Sequence, residues 1–274
     1  MTDKILSETK NGILKIKINR PEKKNALSNE MRIEIAKLIN QGEKDPSVRV
    51  ILMHGNEDFC AGADVGGFSE AQKRIIPVQK TNEIKDAPIQ KTNEIRDAEG
   101  PHIKALRTAK KPLIAAVTGY AIGVGTTILF FFDLIYAGKN AKFRLPFVNL
   151  GLVPENGSGV ILPKLAGLYR AAELFYFGDF FSSEKAYQCG FVNKIFPDED
   201  VISQSYQLAR RLVAKPPGAL IATKALIKRT TADQIKNAIN YENTLFGQML
   251  QKPESKEAIS AFVEKRKPDF SKIS

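Results

Sequence analysis

Short apolar segments alternate with helix-like segments through the first part of the chain, and this order constrains the fold most. Leu14, Ile16 and Ile18 alternate with polar residues, which is the period-two pattern of a half-buried strand. Apolar stripes predict a helix from Ser28 to Gly42 and a buried helix from Gly123 to Phe132. Four more segments have strand character: 48–55, 112–119, 133–138 and 141–146. Strands that alternate with helices predict an α/β architecture with parallel pairing.

The pattern changes near Asp198, after which strand signals vanish. Helical patterns cover 199–214, 217–229, 231–250 and 254–266. We therefore expect an α/β core over 1–197 and a helical region over 198–274.

The chain is basic, with 41 Lys and Arg against 30 Asp and Glu and a formal net charge of +11. Such a charge favours a polyanionic partner. The basic residues are spread along the chain, without zinc-finger spacing, an RNP-like motif or a long basic tail. We therefore predict a phosphate-bearing small molecule as ligand, and no nucleic acid.

Several function classes find no support in the sequence. The longest apolar run in the middle of the chain, "ILFFF", is far shorter than a membrane span. The two histidines, His54 and His102, have no acidic residues at metal-ligand spacing, and we expect no metal site. Two cysteines, Cys60 and Cys189, make a disulfide scaffold improbable and favour the cytoplasm.

A tandem repeat interrupts the core: "QKTNEIKDAPI" at 79–89 is followed at once by "QKTNEIRDAEG" at 90–100. Its polar composition favours a duplicated surface insertion. A lid over a binding site is the alternative, because long insertions in compact domains are often functional.

Two glycine-containing turns follow predicted strands: "FCAGADV" at 59–65 and "GYAIGVG" at 119–125. Small residues let a ligand approach the backbone closely, and the second turn opens a helix whose N–H groups are free. Two such N–H groups converging from different strands would form an oxyanion hole.

With these turns the sequence resembles the enoyl-CoA hydratase/isomerase (crotonase) superfamily. The motifs "NRPEKKNAL", "FCAGADV", "GYAIGVG", "PFVNLGLVPENG" and "GFVNKIFP" occur in the order of that family. The resemblance implies an α/β crotonase (ClpP-like) fold of repeated ββα units, with a helical C-terminal trimerisation region. It also implies an acyl-CoA substrate, no separate cofactor, and a homotrimer or hexamer.

The resemblance also assigns residues by position. The backbone N–H groups of Ala63 and Val124 would hold the thioester oxygen. Residues at the CoA end would be Lys24, the loop Ala61, Gly62, Asp64 and Val65, and more weakly Lys265 with Arg266.

The acids decide which reaction is expected. Hydratases similar to this chain carry two glutamates, at positions that here hold Thr127 and Phe147, so efficient hydration is not expected. Glu155 instead matches the single glutamate of peroxisomal-type Δ3,Δ2-enoyl-CoA isomerases, in the context "PFVNLGLVPENG". We therefore expect Glu155 to move a proton from C2 to C4 of a 3-enoyl-CoA in fatty-acid β-oxidation.

Three other interpretations remain open on the sequence alone. Glu155 could be an acid favoured in the first turn of a helix. It could serve hydration or thioester hydrolysis with a water. The chain could also be a non-catalytic acyl-CoA-binding or scaffold protein.

Overall fold

The computed structural model describes residues 4–64, 99–271 and 273. Nine strands lie in this part of the chain: β1 Ile5–Lys10, β2 Ile13–Ile18, β3 Val50–His54, β4 Leu113–Val117, β5 Tyr120–Ile122, β6 Leu134–Gly138, β7 Lys142–Arg144, β8 Phe181–Ser182 and β9 Lys194–Phe196. They form a six-stranded sheet in the order β1-β2-β3-β4-β6-β9 and a three-stranded sheet in the order β5-β7-β8. β1 and β2 are antiparallel, and every later neighbour in the large sheet is parallel. The predicted α/β class with parallel pairing is confirmed.

The helices of the same residues are α1 Asn29–Lys44, α2 Pro101–Thr108, α3 Val124–Thr127, α4 Ser158–Ala166, α5 Leu168–Phe177, α6 Ser183–Gln188, α7 Val201–Val213, α8 Pro217–Arg229, α9 Ala232–Met249 and α10 Pro253–Val263. Short 3-10 turns lie at Pro21–Lys23, Ile128–Phe131, Val148–Leu150 and Asp198–Asp200. α1 begins after Ser28, whose hydroxyl accepts a hydrogen bond from the Met31 N–H. This side chain caps one of the N–H groups that the first helical turn leaves free.

The large sheet is buried on both faces, which explains why its central strands have continuous apolar sequences. Alternate residues of β3 illustrate this: Ile51 and Met53 belong to the main core, whereas Val50 and Leu52 pack with Val201 and other residues of α7. The first of the C-terminal helices therefore covers one face of the sheet. The boundary at residue 198 stays a prediction.

Several details differ from the sequence expectations, among them β5, which lies within the segment 119–125 expected to be a turn, and β8, which no strand pattern indicated. The apolar segment 123–132 is not one helix, because α3 ends at Thr127 and a 3-10 turn follows over Ile128–Phe131. The sequence pattern missed β1, since most of its residues are exposed and polar while its pairing with β2 is made through the backbone. β9 in "GFVNKIFP" was missed as well, and it is only three residues long.

Candidate active site

The two glycine-containing turns lie side by side. Cys60 pairs with Ala121 in a parallel bridge, and the Ile122 N–H donates to the Cys60 carbonyl at 2.9 Å. A Cβ on Gly125 would collide with that same carbonyl oxygen, so only glycine lets α3 approach the first turn this closely. The predicted proximity of the two turns is therefore present in the structure.

Each turn contributes a backbone N–H group suited to bind an oxyanion. Ala63 follows Gly62, which adopts φ 110°, and Val124 follows Gly123, which adopts φ 54°. Within the described part of the chain, neither the Ala63 nor the Val124 N–H donates a hydrogen bond. Val124 is also the first residue of α3, where the N–H groups point out of the helix. Two such N–H groups are candidates to bind a negatively charged oxygen.

Glu155 lies on the turn before α4 and is half-buried. Burial raises the pKa of its carboxyl above the ordinary value, and the positive charge of Arg32 on α1 opposes part of that rise. Burial raises the pKa of the Cys60 thiol in the first glycine turn to about 12, and the negative charge of Glu155 makes a small further contribution in the same direction. A carboxylate of raised pKa beside an anion-binding turn is a candidate general base.

The turn that carries Glu155 is tied to α3. Asn156 Nδ2 donates a hydrogen bond to Thr127 Oγ1 at 2.9 Å, and both residues are buried. Thr127 and Phe147, which occupy the hydratase glutamate positions, are both buried as well and neither is ionisable. Thr127 thus holds the Glu155 turn in place of an acid.

Lys24 and Ala61, both assigned to the CoA end, are neighbours. The Ala61 N–H donates to the Lys24 carbonyl at 2.9 Å, and the Lys24 ammonium lies 4.4 Å from the centre of the Tyr120 ring. The Gly62 carbonyl accepts from the Leu27 N–H at 2.8 Å. These contacts hold "NRPEKKNAL" against the first glycine turn.

Asp64 forms an ion pair with Arg20 at 2.6 Å. Arg20 also donates to the Ala26 carbonyl at 3.1 Å, so it connects the loop to the segment that carries Lys24. Sequence reasoning missed Arg20, although it lies next to the quoted proline of that motif. Val65, also assigned to this loop, lies outside the described residues.

Lys265 is not brought to the Lys24 region by any contact in the described residues. It is exposed directly after α10, and the neighbouring Arg266 pairs with Glu257 and Glu264. The 79–100 repeat lies outside the described residues apart from Glu99 and Gly100.

His102 is buried on α2, and neither ring nitrogen has a hydrogen-bond partner. Burial, reinforced by the charge of Arg32, lowers its pKa to about 3. Among the described residues no group of three or more His, Cys, Asp or Glu could hold a metal ion. Cys60 and Cys189 are both free and buried.

Two further charged residues, Arg32 and Glu242, act on the site, and no sequence pattern indicated either of them. Arg32 lies on α1 and is partly buried, and its positive charge lowers the pKa of Glu155. Glu242 on α9 accepts hydrogen bonds from the backbone just after Glu155. Only the folding of distant segments against each other brings these residues to the site.

The family model for enoyl-CoA hydratase/isomerase matches residues 8–272 of the chain. The chain belongs to this family. The α/β crotonase fold that the sequence resemblance implied is confirmed, and the site described above lies within the matched region.

Proteins of this family with known functions are similar over nearly the full chain. The 1,2-epoxyphenylacetyl-CoA isomerase of Escherichia coli (strain K12) is 30% identical over 99% of both chains. A crotonyl-CoA hydratase of Syntrophomonas wolfei is 29% identical over 98% of both. Human enoyl-CoA delta isomerase 2 is 30% identical over 88% of this chain and 59% of its own length.

Solved structures agree. The structure of Pseudomonas aeruginosa OdaA superposes with a TM-score of 0.83 at 36% identity, covering 95% of this chain and 99% of that one. An enoyl-CoA hydratase/isomerase from Pseudoalteromonas atlantica T6c gives a TM-score of 0.85 at 31% identity, over 98% and 100%. In the described residues, no helix has both the length and the apolar character needed to cross a membrane.

Proposed function

We propose that this family member is a Δ3,Δ2-enoyl-CoA isomerase, with Glu155 as its acid–base residue. The observation that carries the proposal is a partly buried carboxylate on a turn bound to the helix that follows the second glycine turn, with Thr127 and Phe147 at the positions where the resemblance would place further acids. Isomerisation needs one base that serves two carbon atoms. Hydration by the two-glutamate route needs a second carboxylate to orient water.

The proposed reaction balances without any cofactor. Glu155 removes the C2 proton of a 3-enoyl-CoA, and the electrons of that C–H bond form a dienolate. Its negative charge falls on the thioester oxygen, which accepts hydrogen bonds from the Ala63 and Val124 N–H groups. The protonated Glu155 returns the same proton to C4, and the double bond moves to between C2 and C3.

The electrostatics of the site support both halves of this cycle. Burial strengthens Glu155 as a base by raising its pKa, and the same rise matches the pKa more closely to neutral operating pH. Removal of one oxyanion donor typically raises the barrier by about 3 kcal/mol, so the paired turns account for a large part of the proposed rate.

The relatives support acyl-CoA chemistry but do not select the reaction, because their names include isomerases and hydratases. The selection rests on this chain's own side chains at 127, 147 and 155. Lys24 and the Ala61–Asp64 loop are our candidates for the CoA end of the substrate, with Lys265 as a weaker one. We extend the proposal to a homotrimer or hexamer that works in the cytoplasm.

The test is Glu155→Gln, which keeps the shape of the side chain and removes the base. We expect kcat for isomerisation of a 3-enoyl-CoA to fall by about 10²–10⁴-fold. The control is Glu173→Gln, an exposed carboxylate on α5 paired with Lys185, which should leave kcat unchanged. Isomerisation by the Glu155→Gln protein at the parent rate would refute the proposal.

A further inference from the structure

A carboxylate from the C-terminal helices binds the backbone next to Glu155. Glu242 Oε2 accepts a hydrogen bond from the Gly157 N–H at 2.6 Å, and Oε1 accepts one from the Gly159 N–H at 2.9 Å. Glu242 is 85 residues downstream of Gly157, on α9, and is only 9% exposed. Both carboxylate oxygens are therefore used on one short stretch of chain.

This stretch is the start of α4, which has no side-chain cap of its own. Gly157 is the N-cap residue, and it adopts φ 73°. The first N–H groups of a helix need acceptors, and a negative charge there is favoured by the helix dipole. Glu242, on α9, supplies the acceptor oxygens and the negative charge, and no side chain of the turn caps α4.

The same contact fixes the backbone that carries Glu155. The Ser158 N–H donates to the Glu155 carbonyl at 3.2 Å, so the turn and the first residues of α4 are continuous. The residue between them, Asn156, is bound to Thr127 of α3. The stretch directly after Glu155 is thus bound to α3 at Asn156 and to α9 at Gly157 and Gly159.

We propose that Glu242 is a positioning residue for the reaction: its carboxylate, bound to the Gly157 and Gly159 N–H groups, holds the Glu155 turn in register with the oxyanion turns. This inference rests on the proposed function for its kinetic consequences. The contact itself does not depend on the reaction.

The charges around the pair support an electrostatic coupling. Burial raises the pKa of Glu242 to about 7, the two backbone N–H groups oppose that rise, and the charge of Glu155 adds to it. The charge of Arg32 on α1 lowers the pKa of Glu155. The pKa of the Cys60 thiol in the first glycine turn is lowered by Arg32 and raised by Glu155. Two interacting carboxyls lose their protons in two steps that belong to the pair. The upper step, near neutral pH, ionises Glu242, and in this form both of its oxygens accept the backbone hydrogen bonds.

Gly159 allows positioning to be separated from charge. A Cβ at this residue would lie 2.8 Å from Glu242 Oε1, too close for the carboxylate to stay in place. Gly159→Ala therefore displaces the carboxylate without removing it. Loss of a hydrogen bond to the ionised form should move the upper ionisation to higher pH.

The experiment compares the parent, Glu242→Gln, Gly159→Ala and the exposed control Glu173→Gln, with kcat and KM for a 3-enoyl-CoA measured from pH 5 to 9. We expect Glu242→Gln to lower kcat at pH 8 at least tenfold with KM within threefold, and to lose the upper of two ionisations in the kcat profile. Gly159→Ala should lower kcat and shift that ionisation upward. A Glu242→Gln protein that matches Glu173→Gln throughout overturns the inference; if that variant does not fold, an unchanged profile in Gly159→Ala overturns it equally.

A readout without substrate separates this inference from the proposed function. Titration of ¹³C-labelled carboxyl groups by NMR should place Glu242 near pH 7 in the parent, and at lower pH in Glu155→Gln, where the neighbouring charge is gone. If the titration midpoint of Glu242 is the same in Glu155→Gln as in the parent, the two carboxyls are not coupled. Full activity of Glu155→Gln would instead refute the proposed function. The titration of Glu242 would still test its contact with the Glu155 turn.

Discussion

Asn156 Nδ2 donates to Thr127 Oγ1 at 2.9 Å, which joins the turn of the proposed base to the helix that begins at Val124. Thr127 is fully buried and Asn156 is 7% exposed. The base and one oxyanion donor are therefore held in a fixed relation by a single side-chain contact.

Thr127→Val tests this contact, because valine keeps the shape and removes the acceptor. The Asn156 amide would lose its partner in a buried site, so we expect the free energy of unfolding to fall by about 1–3 kcal/mol. We also expect kcat to fall about tenfold or more, since small displacements of a base cost much of its rate. Denaturant unfolding and steady-state kinetics measure the two effects. Unchanged kcat would show that the contact does not place Glu155.

Gly125→Ala should disrupt the oxyanion turns. The new Cβ would meet the Cys60 carbonyl and push α3 away from the first turn. We expect kcat to fall by about 10²-fold. Gly218→Ala in α8 is the matched control, because nothing lies within 4 Å of the new Cβ and alanine favours a helix. Equal kcat in the two variants would contradict the placement of the hole.

Arg32→Met should change the pH dependence of the reaction. The positive charge of Arg32 lowers the pKa of Glu155, so its removal raises that pKa further. The base is lost as pH falls through its pKa, and the acid limb of kcat/KM should therefore move to higher pH, with a lower rate than the parent on that limb. Lys37→Met, an exposed cation of the same helix, is the control. An acid limb at the same pH as in the parent would show that the charge of Arg32 does not affect Glu155.

Glu242→Gln should change the pH dependence of stability. The pKa of Glu242 is raised from 4.5 to about 7 on folding, so its favourable contribution is present below pH 4.5 and is lost as pH rises through 7. The variant lacks this loss, and its unfolding free energy relative to the parent should rise by up to roughly 3 kcal/mol between pH 5 and 8. Between pH 5 and 8 the stability of the variant should therefore improve relative to the parent, while its activity falls. A stability difference that does not vary with pH would contradict the raised pKa.

The site could be predicted from the sequence wherever its residues lie within one short motif. The glycines at 62, 123 and 125 are required by local backbone conformation and close approach, and both properties leave a mark in the sequence. The role expected of Glu155 comes from the resemblance of "PFVNLGLVPENG" to the isomerases and from the absence of acids at 127 and 147, because the turn residues around it fit an incidental acid equally well.

The remaining contacts depend on tertiary packing. Glu242 reaches Gly157 only because α9 packs against α4, and its own segment reads as an ordinary amphipathic helix. Arg32 sits in a helix whose pattern reveals its buried side but not its electrostatic partner. The break of the 123–132 helix after Thr127 was equally hidden, because its apolar residues fit a longer helix.

The most direct measurement offers the purified protein a 3-enoyl-CoA and a 2-enoyl-CoA in separate reactions and identifies the products. The account predicts that the 3-enoyl-CoA is converted to 2-enoyl-CoA, and that no 3-hydroxyacyl-CoA forms from either substrate. Formation of 3-hydroxyacyl-CoA from the 2-enoyl-CoA, without any isomerisation of the 3-enoyl-CoA, would contradict it.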